Sequence, residues 1–395
     1  MPWMETCVMD ERVRFIGRHM DGEKMVDLCR EFGISRKTAY KFLERYEKFG
    51  VDGLLDQSRR PVFSPRKTAD EIERHIIKLK SIQPSWGPKK LKAKLEQKYS
   101  GVQFPAASTI GAILHKHGLV QVSKRRRRLE ERFYPTEIRQ SKVPNEVWCV
   151  DFKGQFKLGN SRYCYPLTVT DHFSRYLLGC EALTSTSTTP TMDTFEAIFD
   201  EFGLPDAIRS DNGVPFSAPR GLGGLSELSV WWMRLGIQPE RIEPGCPQQN
   251  GRHERFHLTL KNETIRPAKA NLLQQQERFD LFREEYNKER PHEALNMKTP
   301  STKYKKSPRK LTDAMKELEY PLHDFTVKVG TTGAVRLPGG NQCQIARLFT
   351  GYTLGLRELE EEVLLVSFGQ FDLGYIEQRT GKFLLDNPLS EEETV

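Results

Sequence analysis

None of the seven cysteines stands in a CxxC pair, and their number is odd. This argues against a disulfide framework and a cysteine-rich zinc site, and it suits a reducing cytosol. No apolar stretch approaches the roughly 18 residues of a membrane span, and the N-terminus lacks a charged segment followed by an apolar run. No GxGxxG and no Gly-Lys-Ser/Thr loop occurs, and the glycines at 221, 223 and 224 match neither pattern. A nucleotide cofactor is therefore not expected. These absences point to a cytoplasmic chain with no membrane partner, whose substrate is reached from the cytoplasm.

What is present is charge, unevenly spread. The 395 residues carry a net +8, 29% are charged and 37% are hydrophobic, enough for real cores. A length near 400 suggests two to four domains. Residues 1–143 hold 31 Lys and Arg against 18 Asp and Glu, whereas the remainder holds 30 against 35. A basic front on a near-neutral body is the asymmetry of a nucleic-acid binder, although a solvated lysine-rich surface would carry the same charge.

The first segment, 1–56, reads as a helix-turn-helix. Met25, Val26, Leu28, Cys29 and Phe32 give one apolar face. Gly33 supplies the left-handed residue that ends a helix, and Ser35 caps the next. Arg36, Lys37, Thr38 and Tyr40 would then face DNA. An ordinary helical hairpin with a cationic face is the alternative. Residues 57–67, with Arg59 and Arg60 just before Pro61 and a second proline at 65, read as an extended linker able to lie along phosphates.

A second helical module spans 66–122, with Lys89 and Lys90 on a lysine-rich helix and Ser108 and Thr109 at the start of another. Two such modules in series would lengthen the site read along one duplex. Residues 123–143 are a basic linker. Its run Lys124-Arg125-Arg126-Arg127-Arg128 would bind phosphates by releasing counterions.

From 144 to 305 strands alternate with helices, as in a layered α/β domain with a mixed sheet. Residues 298–320 read as a Lys-, Ser- and Pro-rich linker. Residues 322–388 are short β-prone runs broken by glycines and read as a small β-barrel.

Three acids stand out in the α/β segment. Asp151 ends a strand, Asp211 sits at a strand end before Asn212-Gly213, and Glu254 opens a helix. Carboxylates from neighbouring strand ends and a facing helix can converge, because ligands of open α/β sheets gather at strand ends. Hard oxygen ligands suit Mg²⁺, with Mn²⁺ as substitute. Two such ions about 3.5–4 Å apart clamp an in-line phosphoryl displacement. Taken singly, each Asp reads more readily as a turn cap than as a catalytic group; the argument rests on the set.

The motifs Val150-Asp151-Phe152, Ser210-Asp211-Asn212-Gly213 and Pro244-Gly245-Cys246-Pro247-Gln248-Gln249-Asn250-Gly251-Arg252-His253-Glu254-Arg255 resemble the DDE signature of bacterial insertion-sequence transposases, relatives of retroviral integrases. Arg290-Pro291-His292-Glu293-Ala294-Leu295 resembles the segment that closes that catalytic domain. The resemblance covers about residues 11–305. It implies an RNase H-like integrase core in which Asp151, Asp211 and Glu254 hold two Mg²⁺ ions. It also implies double-stranded DNA as partner, both the element's terminal inverted repeats and a target, and a homodimer or higher oligomer on DNA. A bacterial, nucleoid-associated location follows. The spacing departs from the common family pattern: 42 residues lie between Asp211 and Glu254. The glycine-bearing stretch Ser217 to Ser229 would absorb the excess as a loop. Lys261, on the face of Glu254, would reach a neighbouring phosphate.

Other patterns compete. His253-Glu254-Arg255-Phe256-His257 matches the HExxH zinc-peptidase motif. That reading leaves Asp151, Asp211 and the basic front unexplained, so it reads as a chance match. Asp171 is a further strand-end acid, and the resemblance implies a non-catalytic role for it. Trp231 and Trp232 read as core. A DNA-binding regulator that had lost catalysis would share the helical modules, but retention of all three acids weighs against it.

Overall fold

The computed structural model describes residues 7–56, 68–120, 139–218, 221–243, 247–359 and 362–388. The chain divides into two compact units, Met1–Thr68 and Ala69–Val395. Among the described residues no helix is long and apolar enough to cross a membrane.

The first unit is three helices: α1 (Val8–Met20), α2 (Met25–Glu31) and α3 (Arg36–Phe49). Their apolar faces meet in a core of Phe15, Ile16, Leu28, Ala39 and Leu54. The turn between α2 and α3 forms as the sequence dictates. Gly33 adopts φ +63°, and the Ser35 hydroxyl accepts the Thr38 amide at 3.2 Å, which satisfies one of the orphan donors at the start of α3. Arg36, Lys37 and Tyr40 are exposed on that helix and Thr38 is half-buried. Arg59 and Arg60 lie outside the described residues.

The second unit opens with α4 (Asp70–Ile82), α5 (Pro88–Lys98) and α6 (Ala107–Lys116) around Ile76, Trp86, Leu91, Leu95, Ile110 and Leu114. Ser108 and Thr109 are exposed in the first turn of α6. Arg125, Arg126, Arg127 and Arg128 lie outside the described residues.

A mixed sheet follows: β1 (Val147–Phe152), β2 (Phe156–Lys157), β3 (Tyr163–Asp171), β4 (Leu177–Leu183), α7 (Thr188–Phe202), β5 (Ala207–Ser210), α8 (Glu227–Arg234), β6 (Gln238–Arg241), α9 (Gly251–Leu260) and α10 (Leu272–Lys288). β1, β5 and β6 run parallel, β3 is antiparallel to β1, and β4 and the short β2 pair with β3. Both faces are covered, so the central strands are apolar on both sides rather than alternating. One face carries Trp148, Val150 and Val169 against Phe195, Phe199 and Trp232 of α7 and α8. The other carries Cys164, Leu177 and Cys180 against Phe256, Leu260, Phe279 and Phe282 of α9 and α10. Trp232 is fully buried and Trp231 packs beside it against Phe199, as read from the sequence.

Two expectations are corrected. The stretch after 298 is not a free linker. Through α11 (Leu311–Ala314) it is a strap on the core: Tyr304 stacks on Tyr176 with ring centroids 4.3 Å apart, and Arg309 donates to the carbonyls of Pro205 and Gly236 at 2.6 and 2.8 Å. The second correction concerns the C-terminal β-barrel. The strands β7 (Phe325–Lys328), β8 (Ala334–Arg336), β9 (Gln342–Gln344), β10 (Thr353–Glu358), β11 (Val363–Phe368), β12 (Phe371–Glu377) and β13 (Lys382–Leu384) form an open antiparallel sheet, ordered β13-β12-β11-β10-β7, and a separate β8-β9 hairpin. A barrel needs unbroken hydrogen bonding from edge to edge. Here β7 pairs with β10 alone and β13 with β12 alone among the described residues. The sheet buries its inner face on Val335, Phe349 and, from α8, Val230 and Met233, so its core is completed by neighbours rather than by closure.

Candidate active site

The sheet register brings the first two acids together. Parallel pairing sets Val147 opposite Ala207, Trp148 opposite Ile208 and Cys149 opposite Arg209. Two residues further along each chain stand Asp151 and Asp211, so the acids lie level at the carboxyl ends of adjacent strands. Side chains alternate along a strand, so Asp151 shares the face of Cys149, opposite to Trp148 and Val150. That is the face on which α9 lies. Asp211 closes its own turn: Oδ1 accepts the Gly213 amide at 3.0 Å, a local bond that Asp forms readily. Asn212 donates to the carbonyl of Ile242 at 2.7 Å and anchors that turn to the end of β6.

Glu254 sits exposed in the first turn of α9. Part of the stretch Ser217 to Ser229 is helix rather than loop. The glycine stretch is a tight structure in which Ser217 donates to the Gly224 carbonyl at 3.1 Å, and α8 begins at Glu227.

Electrostatics link the three carboxylates. Burial pushes the Asp151 carboxyl up to about 7; the charge of Asp211 adds to this, Lys153 opposes it, and Glu254 contributes further upward pressure. A half-buried acid beside two like charges is an under-compensated negative site. That is the environment a hard divalent cation relieves, since magnesium takes hard oxygen ligands, typically one or two carboxylates completed by waters and phosphate oxygens. Asp151 and Asp211 are hard oxygen donors of the kind such ions take, while among the described residues no three His, Cys, Asp or Glu side chains stand close enough together to hold one. Lys153 was not singled out from the sequence, and nothing in its local pattern marks it.

The two histidines of the HExxH match face inward. The Thr168 hydroxyl on β3 lies 2.7 Å from His253 Nε2 and 2.8 Å from His257 Nε2. The Thr170 hydroxyl lies 3.2 Å from His253 Nδ1. Burial lowers His253 to about 3 and holds His257 well below the ordinary histidine range, with His253 adding to the effect. Both rings are therefore neutral and are engaged by β3, not turned outward with Glu254. His257 Nδ1 stands 3.6 Å from Asp151 Oδ2.

Asp171 behaves as a turn cap. It accepts the amides of Asn145 and Ser174 at 2.7 Å each, and the Ser174 hydroxyl at 2.6 Å. Lys261 is half-buried where α9 widens into a π turn, Lys261–Ile265. Lys89 is exposed and Lys90 half-buried. Lys89 pairs with Glu293. Lys90 is lowered to about 8, first by burial and then by the Arg290 charge. Ser85 adds a hydrogen bond to Glu263 at 2.6 Å, so this helical module is docked on the core.

Comparison with known proteins identifies the parts. Residues 141–247 match an integrase core domain family and residues 235–300 a second family of the same description. Residues 11–61 match a helix-turn-helix domain and residues 38–114 a homeodomain-like domain. The chain is 24% identical over 250 residues to an uncharacterized 39.2 kDa protein of insertion element IS476 from Xanthomonas euvesicatoria, covering 63% of this chain and 69% of that protein. It is 27% identical over 189 residues to an uncharacterized 31.7 kDa protein of insertion element IS407 from Burkholderia multivorans, covering 48% of this chain and 65% of that one. A feline leukemia virus Gag-Pol polyprotein is 25% identical over 207 residues, only 11% of its own length. Among solved structures, the HTLV-2 integrase catalytic core domain in complex with magnesium covers 42% of this chain and all of its own, at 17% identity and TM-score 0.34. A simian T-cell lymphotropic virus intasome covers 75% of this chain and 97% of its own, at 16% identity and TM-score 0.37.

Proposed function

From a chain that carries an integrase core domain behind helix-turn-helix domains, and whose relatives include insertion-element proteins, we propose a DNA transposase that cuts at the ends of an insertion sequence and joins them to a target. The helical modules bind the terminal inverted repeats. Exposed Arg36, Lys37 and Tyr40 lead the first contact, with the basic residues 123–143 on flanking phosphates. Asp151, Asp211 and Glu254 hold two Mg²⁺ ions, which supply charge neutralisation and activation of the attacking oxygen. Asp151 and Asp211 stand at neighbouring strand ends and Glu254 in the first turn of α9, and these are the carboxylates the ions would draw together. Lys153 and Lys261 flank the site and orient phosphate. Water frees a 3′-hydroxyl at the element's end, and that hydroxyl then attacks a target phosphodiester. Both steps are phosphoryl transfers governed by in-line positioning. Joining two ends in concert requires a homodimer or higher assembly on DNA, acting on the bacterial nucleoid.

The observation that carries this reading is the level placement of Asp151 and Asp211 across the β1–β5 pair. Its test is cleavage and strand transfer on a labelled duplex bearing the element's own end, with Mg²⁺ or Mn²⁺, for wild type against Asp151→Asn. Activity that disappears in the variant supports the transposase. Tight binding with no cleavage by either protein supports a DNA-binding regulator. Cleavage that survives Asp151→Asn overturns the assignment of the site.

A further inference from the structure

Arg175, in the turn between β3 and β4, is a cation withdrawn from water without a partner. It adopts φ +65°, a left-handed conformation that residues with a β-carbon seldom take. Its side chain is half-buried and makes no hydrogen bond or ion pair among the described residues. Charged groups taken from water are normally paired, because their desolvation is otherwise uncompensated. Burial, and then the charge of Arg252, lower the pKa of Arg175.

Arg175 and Arg252 both line a cavity of about 30 Å³, which admits one water-sized group. Arg252, in the first turn of α9, is itself exposed, so the mouth of the cavity lies at the start of that helix. The other polar groups around it leave the two guanidiniums uncompensated. Arg252 donates to His172 Nε2 at 2.9 Å, and that ring is kept neutral by burial and by the Arg252 charge. Asp171, the one acid lining the cavity, is spent on the amides of Asn145 and Ser174 and on the Ser174 hydroxyl. Arg209, by contrast, has its own acid, Glu240, at 2.9 Å.

The cavity is close to the carboxylates. Cys149 and Thr170, which face each other across β1 and β3, also line it. They stand two residues from the pair Asp151 and Thr168, about 7 Å along the strands. A DNA strand advances about 3.4 Å per nucleotide along the duplex, so a strand with one phosphate at Asp151 brings another, one or two nucleotides away, to the start of α9.

We propose that Arg175 and Arg252 form a phosphate site that holds a non-reacting phosphodiester of the DNA strand engaged at the carboxylates. This rests on the reading of the chain as a DNA transposase. Guanidinium groups offer forks of N–H donors that match phosphate oxygens. One oxygen enters between the two forks, and the rest of the backbone stays outside, against the exposed side of Arg252. The desolvation of Arg175 in the free protein is then offset on binding.

Two measurements on the full chain test this. The first is thermal melting in sodium phosphate and in sodium chloride of equal ionic strength. Phosphate is expected to raise the melting temperature of wild type by about 2–4 °C over chloride, and that of Arg175→Met or Arg252→Gln not at all. In chloride, Arg175→Met should melt no lower than wild type, because it removes an unpaired charge. If Arg175→Met does not fold, Arg252→Gln, at an exposed position, carries both measurements. The second is gel-shift affinity, with Ca²⁺ in place of Mg²⁺, for element-end duplexes bearing one uncharged methylphosphonate at successive positions. Wild type should lose about 10-fold at one position. Arg175→Met should lose about as much on the unmodified duplex and be insensitive to that modification. Phosphate that stabilises wild type and both variants equally would overturn the site. A phosphate effect confined to wild type, with equal duplex affinities for wild type and Arg175→Met, would overturn its assignment to DNA and leave a site for free phosphate. Wild type that binds no duplex, with the phosphate effect intact, would overturn the transposase reading and not the anion site.

Discussion

Lys94 of α5 and Glu289 at the end of α10 pair at 3.1 Å, 195 positions apart in the chain, and with Lys89–Glu293 they fasten the second helical module to the core. Lys89–Glu293 is exposed and Lys94–Glu289 half-exposed, whereas Arg290–Glu263, at 2.6 Å, has side chains only 7% and 13% exposed. Burial decides their different worth. Lys94→Ala is expected to cost under about 1 kcal/mol, and Arg290→Ala about 3–5 kcal/mol because it leaves Glu263 charged and unpaired. Urea unfolding of the two variants measures the contrast; equal losses would contradict it.

Lys90 gives a pH dependence. Its ammonium is lowered to about 8, chiefly by burial. A lysine depressed in the folded state binds fewer protons there than when unfolded, so its contribution is complete above its ordinary value near 10.5 and is lost as pH falls through about 8. Lys90→Met should therefore show a constant stability advantage over wild type below pH 8, shrinking between about 8 and 10.5. Unfolding midpoints of both proteins across that window test it, since other groups cancel in the difference. A difference that stays flat would mean that the lysine is solvated.

Arg36 and Lys37 are exposed at the start of α3, so their loss leaves the fold intact. If each meets one phosphate, replacing either by Ala should reduce the slope of log affinity against log salt by about 0.9. Gel-shift titrations on the element-end duplex at several KCl concentrations read this directly. An unchanged slope would place that side chain off the backbone.

Gly53 follows α3 in a 3₁₀ turn, where a Cβ would come within 2.2 Å of the Arg45 carbonyl oxygen. Main chain cannot step aside as a flexible side chain does. Gly53→Ala should cost about 1–3 kcal/mol by overpacking and lower the melting temperature of the first helical unit. Gly17→Ala, with open space around its Cβ, serves as the control and should leave it unchanged or raised.

Much of this protein is written locally. The α2–α3 turn was legible from Gly33 and Ser35 because a left-handed residue and a side-chain cap act over two or three positions. The two tryptophans announced core, the strand ends announced Asp151 and Asp211, and family-specific motifs carried the rest of the catalytic reading. What the sequence by itself could not determine depends on contacts between distant segments. Whether the C-terminal strands close is set by which edges pair, and β7 and β13 do not. What lies near a lysine is likewise set by the fold: Lys89 pairs with Glu293 while staying exposed, and Lys90 is half-buried near the Arg290 charge. The spacing of His253 and His257 was visible, but Thr168 was not visible as their partner, because β3 and α9 come together only when the sheet is folded. Local chemistry is encoded in neighbouring residues; which polar groups a buried side chain meets is decided by segments that only the tertiary structure brings within 3 or 4 Å.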